Sequence, residues 1–268
     1  MPTQPSGNEP HRHREMAESF GADAERYDRA RPRYPAELIE RIVAAAPGPD
    51  VLDVGCGTGI AARQLRAAGA EVLGVEPDAR MADLARRHGI AADVATFEDW
   101  DPAGREFDAV VAAQAWHWID PDAGAAKAAR ILRPGGLLSV FWNAQQLPSE
   151  VAEALADVCR RVIPDSPIDF GTFTRPAADL YSPGLDKAAA GMHRAGAFGE
   201  PDRRRFRWER SYTRDEWLDQ LPTFGAFTRL PPDRLAEVRD GVAPVLDRLG
   251  GGLLVAYTTL AISAVRRG

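Results

Sequence analysis

The chain has little cysteine, almost no lysine and no long apolar run. Two cysteines, Cys56 and Cys159, are too few for a disulfide framework, and the default compartment is the cytoplasm. No stretch approaches the roughly 20 apolar residues of a membrane span. The opening residues, Met-Pro-Thr-Gln-Pro-Ser-Gly-Asn-Glu-Pro, lack the charged-then-apolar build of a signal peptide, and residues 1–15 are expected to form a disordered leader. No Cys/His cluster has metal-ligand spacing, so no metal site is expected. Positive charge is also in deficit: the net charge is −6, which argues against a nucleic-acid partner, because phosphate binding needs a concentrated basic face. The one basic cluster, Arg203 to Arg207, reads either as an anion-binding strip or as a strand edge that its charges guard against pairing. What remains is an ordinary globular composition, 45% hydrophobic and 27% charged.

The most informative stretch is Val51-Leu-Asp-Val-Gly-Cys-Gly-Thr-Gly-Ile60. Val51 to Val54 reads as a buried strand, Gly55, Gly57 and Gly59 as a tight turn, and the residues from Ala61 as a helix. Such a strand–turn–helix lets a ligand approach the backbone at the carboxyl end of the strand, against helix N–H groups. Asp53 lies inside the strand, and Val72 to Asp78 forms a second buried strand ending in an acid. Glu76 follows the turn by about 20 residues, the spacing at which a carboxylate can accept both hydroxyls of a ribose. The third glycine stands one position earlier than in a dinucleotide-binding turn, which favours S-adenosylmethionine, a ligand with no pyrophosphate to rest on the helix.

Strands and helices alternate from 35 to 142: a helix to about Ala46, strands near 51–54, 72–75, 91–94, 107–113 and 136–142, and helices between them. One helix opens at Asp120-Pro121 and is expected to end at Arg133-Pro-Gly-Gly136. This rhythm predicts a parallel sheet with right-handed crossovers. After residue 145 it breaks: a helix over 148–163, a proline-rich loop over 164–183, a helix over 185–197, a strand over 203–212, a capping box at Thr213–Glu216, a helix over 231–247 and a long strand from Leu253 to Val265. The four expected parts are the leader, 16–145 as the ligand-binding core with an N-terminal lid segment, 146–202 as a helical cap, and 203–268 as the end of the core sheet.

The block Asp53 to Gly59 followed by Gly74-Val-Glu-Pro-Asp78 closely resembles class I S-adenosylmethionine-dependent methyltransferases. The pair His117-Trp118 and the segment holding Tyr27, Arg31, Tyr34 and Pro35 are similar to the methyltransferase type 11, trans-aconitate methyltransferase-like branch. The resemblance implies an α/β, Rossmann-like, doubly wound seven-stranded sheet, mostly parallel with an antiparallel C-terminal edge strand, plus a helical lid insertion. It implies methyl transfer from S-adenosylmethionine, leaving S-adenosylhomocysteine, to a small molecule bearing a carboxylate or hydroxyl. A binder of that cofactor without methyl transfer, and a NAD-type oxidoreductase of similar fold, are the alternative functions.

The residues implied for the cofactor are Asp53, Gly55, Cys56, Gly57, Gly59, Glu76 and Pro77, with Ala113 and Gln114 at the methionine end. Thr96 and Phe97 stand where the family meets adenine, although relatives usually carry Asp or Ser there. Tyr27 and Arg31 belong to the lid segment, where the arginine suits the carboxylate of the cofactor or of a substrate. His117 is the candidate catalytic group, as general base or as hydrogen-bond donor. Trp118 is either packing or a substrate contact, and Asn143, just past a strand, points to the substrate side or closes a turn. Phe170, Phe173, Tyr181, Met192 and His193 are candidate walls of a substrate pocket.

Overall fold

The protein is described by a computed structural model over residues 19–268. The leader expected over 1–15 lies outside the described residues.

Seven strands form one sheet in the order β3-β2-β1-β4-β5-β7-β6. They are β1 Asp50–Val54, β2 Glu71–Glu76, β3 Ala91–Val94, β4 Phe107–Ala113, β5 Leu132–Gln146, β6 Asp202–Thr213 and β7 Gly252–Val265. The helices are α1 Ala24–Ala30, α2 Ala36–Ala45, α3 Ile60–Ala67, α4 Ala79–Arg87, α5 Pro121–Ile131, α6 Ser149–Val162, α7 Ala177–Ala195, α8 Arg214–Gln220 and α9 Pro232–Arg248. β1 pairs in parallel with β2 and β4, β2 with β3, and β4 with β5. β7 runs against β5: Gly135 N–H donates to Arg266 C=O, and Arg266 N–H donates to Gly136 C=O. β7 and β6 form the antiparallel pair at the sheet edge, with β6 outermost. The Rossmann-like, mostly parallel sheet expected from the sequence is therefore present.

The described chain packs as two compact units that interleave along the sequence instead of following one another. The glycine-turn unit comprises Pro32–Asn143, Ser182–Phe206 and Thr259–Gly268. The helical unit comprises Ala144–Tyr181, Arg207–Thr258 and the residues up to Arg31. In the glycine-turn unit the apolar stripe of α2 (Leu38, Ile39, Ile42) and Leu65 of α3 cluster with Val51, Ala109, Val111 and Phe141. Ala62, Ala82, Ala85, Ile90 and Ala92 form a second cluster, in which small side chains let α3 and α4 lie close to the strands. In the helical unit, Trp217, Phe224, Phe227, Leu155, Val242 and Leu246 anchor a separate core.

Local signals set most boundaries. Asp120 accepts from the N–H groups of Asp122 and Ala123 ahead of Pro121, which starts α5. Thr213 and Glu216 form the reciprocal capping box that starts α8. Two boundaries differ from expectation. α5 stops at Ile131, and β5 begins at Leu132, because Leu132 already pairs with Phe107; a register irregularity then absorbs Pro134-Gly135-Gly136. The loop expected over 164–183 holds a 3-10 turn at Phe170–Thr174, and α7 begins within it at Ala177 and continues through Pro183. The Ala177 N–H at the start of α7 donates to the Gln146 side chain at 2.8 Å, a cap supplied from 31 residues away.

Candidate functional site

In the glycine-turn unit the carboxyl ends of β1, β2 and β4 come together where the strand order reverses, the place where open α/β sheets hold ligands. The turn after β1 is tied to β2: Gly55 and Cys56 N–H groups both donate to Val75 C=O, at 2.8 and 3.2 Å. Gly55 has φ +66°, and a Cβ there would lie 2.5 Å from the Cβ of Ala115. Gly57 has φ +56°, but a Cβ there would meet only Met81 Cε, at 3.6 Å. Backbone conformation calls for glycine at both positions, whereas crowding does so only at Gly55. Over Gly57 the protein leaves room for a ligand. Cys56 is a buried packing residue, whose Sγ would lie 2.5 Å from a Cβ placed on Gly74. Burial pushes its thiol well above the ordinary range.

Glu76, at the end of β2, is 8% exposed. Gly57 N–H donates to its Oε2 at 2.9 Å, and Asp78 N–H to its Oε1 at 3.0 Å. The acid thus shapes the turn and also keeps further lone pairs on both oxygens. Burial pushes its pKa up to about 7, and the two backbone N–H groups work against that rise. Asp53 is fully buried in β1, where neither carboxylate oxygen closes a well-formed hydrogen bond, although the Ala62 backbone N–H lies near enough to offset part of its burial. Burial, followed by the charge of Glu76, pushes its pKa up to about 8. A buried acid so weakly satisfied needs an explanation, and a hydrogen-bonding ligand is one. Pro77 lies between Glu76 and Asp78, and Asp78 caps α4 through Arg80 N–H at 2.9 Å.

Gln114, one residue past β4, has φ +59°, an uncommon value for a side-chain-bearing residue, of the kind that gathers at functional sites. Its N–H donates to Phe141 C=O, and its side-chain amide to Asn143 C=O at 3.3 Å. Ala113 closes β4 beside it. The 3-10 turn Trp116–Trp118 presents His117, half-buried, with the Trp118 ring centroid 4.7 Å away. Trp142 Nε1–H donates to His117 Nδ1 at 3.1 Å. Burial pushes the His117 pKa down to about 4. After β3, the Thr96 hydroxyl donates to Asp99 at 2.8 Å, and Phe97 is buried near Trp116. Lys127 of α5 pins this loop by donating to the carbonyls of Glu98 and Trp100. Neither Lys127 nor Trp142 stands out in the sequence. Lys127 reads there as one more helix cation and Trp142 as one more strand apolar.

Three expected substrate contacts are spent on the fold. Asn143 is buried: its amide donates to Arg33 C=O at 3.1 Å, and its carbonyl oxygen accepts from the Thr259 hydroxyl at 2.6 Å. Phe170 and Phe173 pack against each other with tilted rings inside the core of the helical unit, 5.6 Å between centroids. These three serve packing, because their functional atoms or surfaces are already covered. Met192 is likewise fully buried, and His193 lies 3.8 Å from Glu200.

In the helical unit Arg31 donates to Thr223 C=O at 2.6 Å, and its guanidinium lies 4.9 Å from the Tyr27 ring and 5.0 Å from the Phe224 ring. Its Nε is buried without a partner. Burial pushes the Tyr181 hydroxyl up to about 12, while the Arg31 charge acts to lower it. The turn before α2 is held separately, in the glycine-turn unit, where the Gln64 side chain bonds both the N–H and the C=O of Tyr34.

The model of the methyltransferase domain matches residues 27–162, half of the chain. An uncharacterized methyltransferase from Mycobacterium bovis is 41% identical over 132 residues, 48% of this chain and 54% of that protein. A ubiquinone biosynthesis O-methyltransferase from Hahella chejuensis is 33% identical over 156 residues, 53% of this chain and 65% of that protein. The chain thus spans about half to two thirds of the curated relatives it matches. A solved structure of a proposed type II methyltransferase from Anaeromyxobacter dehalogenans aligns with a TM-score of 0.63 at 25% identity, covering 88% of this chain and 97% of that one. With the turn, its acid and the strand order in place, the chain belongs to the methyltransferase domain family, within the class I S-adenosylmethionine-dependent methyltransferases.

Proposed function

We propose that the protein transfers a methyl group from S-adenosylmethionine to a small metabolite or natural-product intermediate, at a carboxylate or hydroxyl. The observation that carries this reading is the acid pair beneath the turn: Glu76, whose oxygens hold two backbone N–H groups with lone pairs to spare, and Asp53, whose buried oxygens close no well-formed hydrogen bond. These groups fit the donor. Glu76 suits its ribose hydroxyls, and Asp53 the cationic amino group of its methionine portion. The open space over Gly57 suits close approach of the backbone. Thr96 and Phe97 would meet the adenine, and Ala113 and Gln114 the methionine end. Arg31, packed on the Tyr27 ring in the helical unit, supplies a cation suited to a carboxylate. Trp118 and Tyr181 are the remaining candidates for the acceptor side.

S-adenosylmethionine supplies a methyl group on positively charged sulfur, already activated for in-line displacement. The tasks left to the protein are alignment, exclusion of water and electrostatic shaping. His117 and Trp118, with the lid residues Tyr27 and Arg31, also support membership of the trans-aconitate methyltransferase-like branch. Among the described residues no helix is long and apolar enough to cross a membrane. A cytoplasmic enzyme acting on a small molecule, with no nucleic-acid partner, is the setting we propose.

Titration calorimetry with S-adenosylmethionine and, separately, NAD tests the donor. Binding of the first alone is expected, and binding of NAD alone would overturn the reading in favour of an oxidoreductase. Incubation with methyl-labelled S-adenosylmethionine and a metabolite extract tests transfer. A labelled product that needs folded protein is expected, whereas tight binding with no product would mark a cofactor-binding protein of another kind.

A further inference from the structure

Trp142 and His117 are 25 residues apart in sequence, yet the indole N–H of one donates to Nδ1 of the other. An indole nitrogen can only donate. Nδ1 must therefore present a lone pair, and the single ring proton of the neutral imidazole resides on Nε2. Trp142 sits on β5 and is 1% exposed, so it cannot turn away without opening the core. Nε2 of His117 has no partner among the described residues. The ring follows the carboxyl end of β4, beside the left-handed Gln114.

On the reading of the chain as a methyltransferase, we propose that Trp142 is a positioning residue that locks His117 as the Nε2–H tautomer. His117 then serves the site as a hydrogen-bond donor to an oxygen or nitrogen lone pair of the acceptor, and not as its general base. A ring so held has no lone pair at Nε2 to receive a proton, and protonation at Nδ1 would set two donors against each other. Burial, which keeps the ring neutral, agrees with this. An acceptor that must lose a proton loses it to water or to its own neighbouring groups.

The tautomer can be read with no substrate at all. In nitrogen-15 histidine-labelled protein, the His117 ring is expected to show a pyrrole-type shift at Nε2 and a pyridine-type shift at Nδ1 at neutral pH. His117→Gln identifies the signal by its loss. Trp142→Phe removes the donor while keeping an aromatic ring, and is expected to release a mixture of tautomers. A pyrrole-type Nδ1 in the native protein, or an unchanged tautomer in folded Trp142→Phe, overturns the proposal. The chemical role is read in the labelled-methyl assay. His117→Ala is expected to lose at least about tenfold, the worth of one hydrogen bond of about 1.4 kcal/mol. His117→Gln, which keeps an N–H near the Nε2 position, is expected to lose clearly less, and equal losses overturn the donor role. Absence of any labelled product with native protein would defeat the methyl-transfer reading and with it the acceptor role, and the spectrum would still decide the tautomer.

Discussion

Glu76, at the end of β2, anchors the glycine turn and is the proposed partner of the donor's ribose. A strand-end acid that only bound a ligand could be lost without cost to folding. The structure instead buries it against Gly57 and Asp78 N–H. Glu76→Ala removes the acceptor for both, and each buried unsatisfied group costs roughly 1–3 kcal/mol. The expected outcome is a lower thermal midpoint without ligand, together with at least about a tenfold loss of S-adenosylmethionine affinity. Glu76→Gln should keep much of the stability and still bind more weakly. Calorimetry with a thermal melt on the same samples checks both, and an unchanged melt in Glu76→Ala would contradict the bonds described. Asp53 leads to a pH prediction. Its pKa and that of Glu76 are raised in the folded protein, to about 8 and about 7. The folded state therefore holds protons that the unfolded chain has released, and stability falls as pH rises from about 4 through about 8. His117 acts in the opposite sense below its ordinary value of 6.5, because its folded pKa is depressed. Between about pH 6.5 and 8 only the acids contribute, so the ligand-free midpoint should drop across that window. Each proton taken up on folding is worth about 1.4 kcal/mol per pH unit, and roughly 2–4 °C accompany each kcal/mol in a chain of this size. Asp53→Asn should flatten the slope, and a slope as steep as native in that variant would exclude Asp53 as its source.

At the scale of elements, the glycine turn is tied to β2 and packed against Ala115, just ahead of the Trp116–Trp118 turn. Gly55 combines a left-handed φ with a Cβ position only 2.5 Å from Ala115 Cβ. Gly55→Ala should cost about 1–2 kcal/mol for the conformation and about 1–3 kcal/mol for the overpacking. Adding Ala115→Gly should recover the second part and not the first. Denaturant melts of the single and double variants would show this, and no recovery in the double variant would mean that the turn yields elsewhere. The start of α8 offers a milder case. Thr213 accepts from Glu216 N–H at 3.2 Å, and Glu216 accepts from Thr213 N–H at 2.8 Å. Thr213→Ala should lose about 1 kcal/mol, the usual worth of an N-cap.

At the scale of the whole molecule, the sheet ends in an exposed strand. β6 turns Phe206 and Tyr212 inward, with Trp208 stacked on Tyr257 at 4.3 Å, while Arg203, Arg205 and Arg207 alternate with them on the exposed side. Arg203 pairs with Asp186, and Arg204 with Asp202. Charged side chains on a sheet edge prevent it from pairing with another chain. Replacing Arg205 and Arg207 by valine should therefore produce concentration-dependent association in sedimentation velocity, whereas native protein should show none through this edge. The same arginines should bind RNA no more than weakly at physiological salt, which fluorescence anisotropy would check.

The chain by itself determined the core of the sheet and the glycine turn, because their signals are local. Asp53, the three glycines and Glu76 fall within two adjoining strand–turn units, and backbone conformation and alternation alone make them legible. The capping box at Thr213 and the Asp120-Pro121 start of α5 were legible for the same reason. Tertiary structure decided what depends on partners distant in sequence. Asn143 is claimed by Arg33 and Thr259, more than 100 residues away on either side. α7 starts early because Gln146 caps it, and Phe170 and Phe173 face a core that includes residues past 210. His117 could be read as base or donor until Trp142, on the adjoining strand, supplied the proton that settles its tautomer. A hydrogen bond between a turn side chain and a strand side chain distant in sequence leaves no periodic trace, and for that reason the chemistry of this histidine becomes visible only in the folded protein.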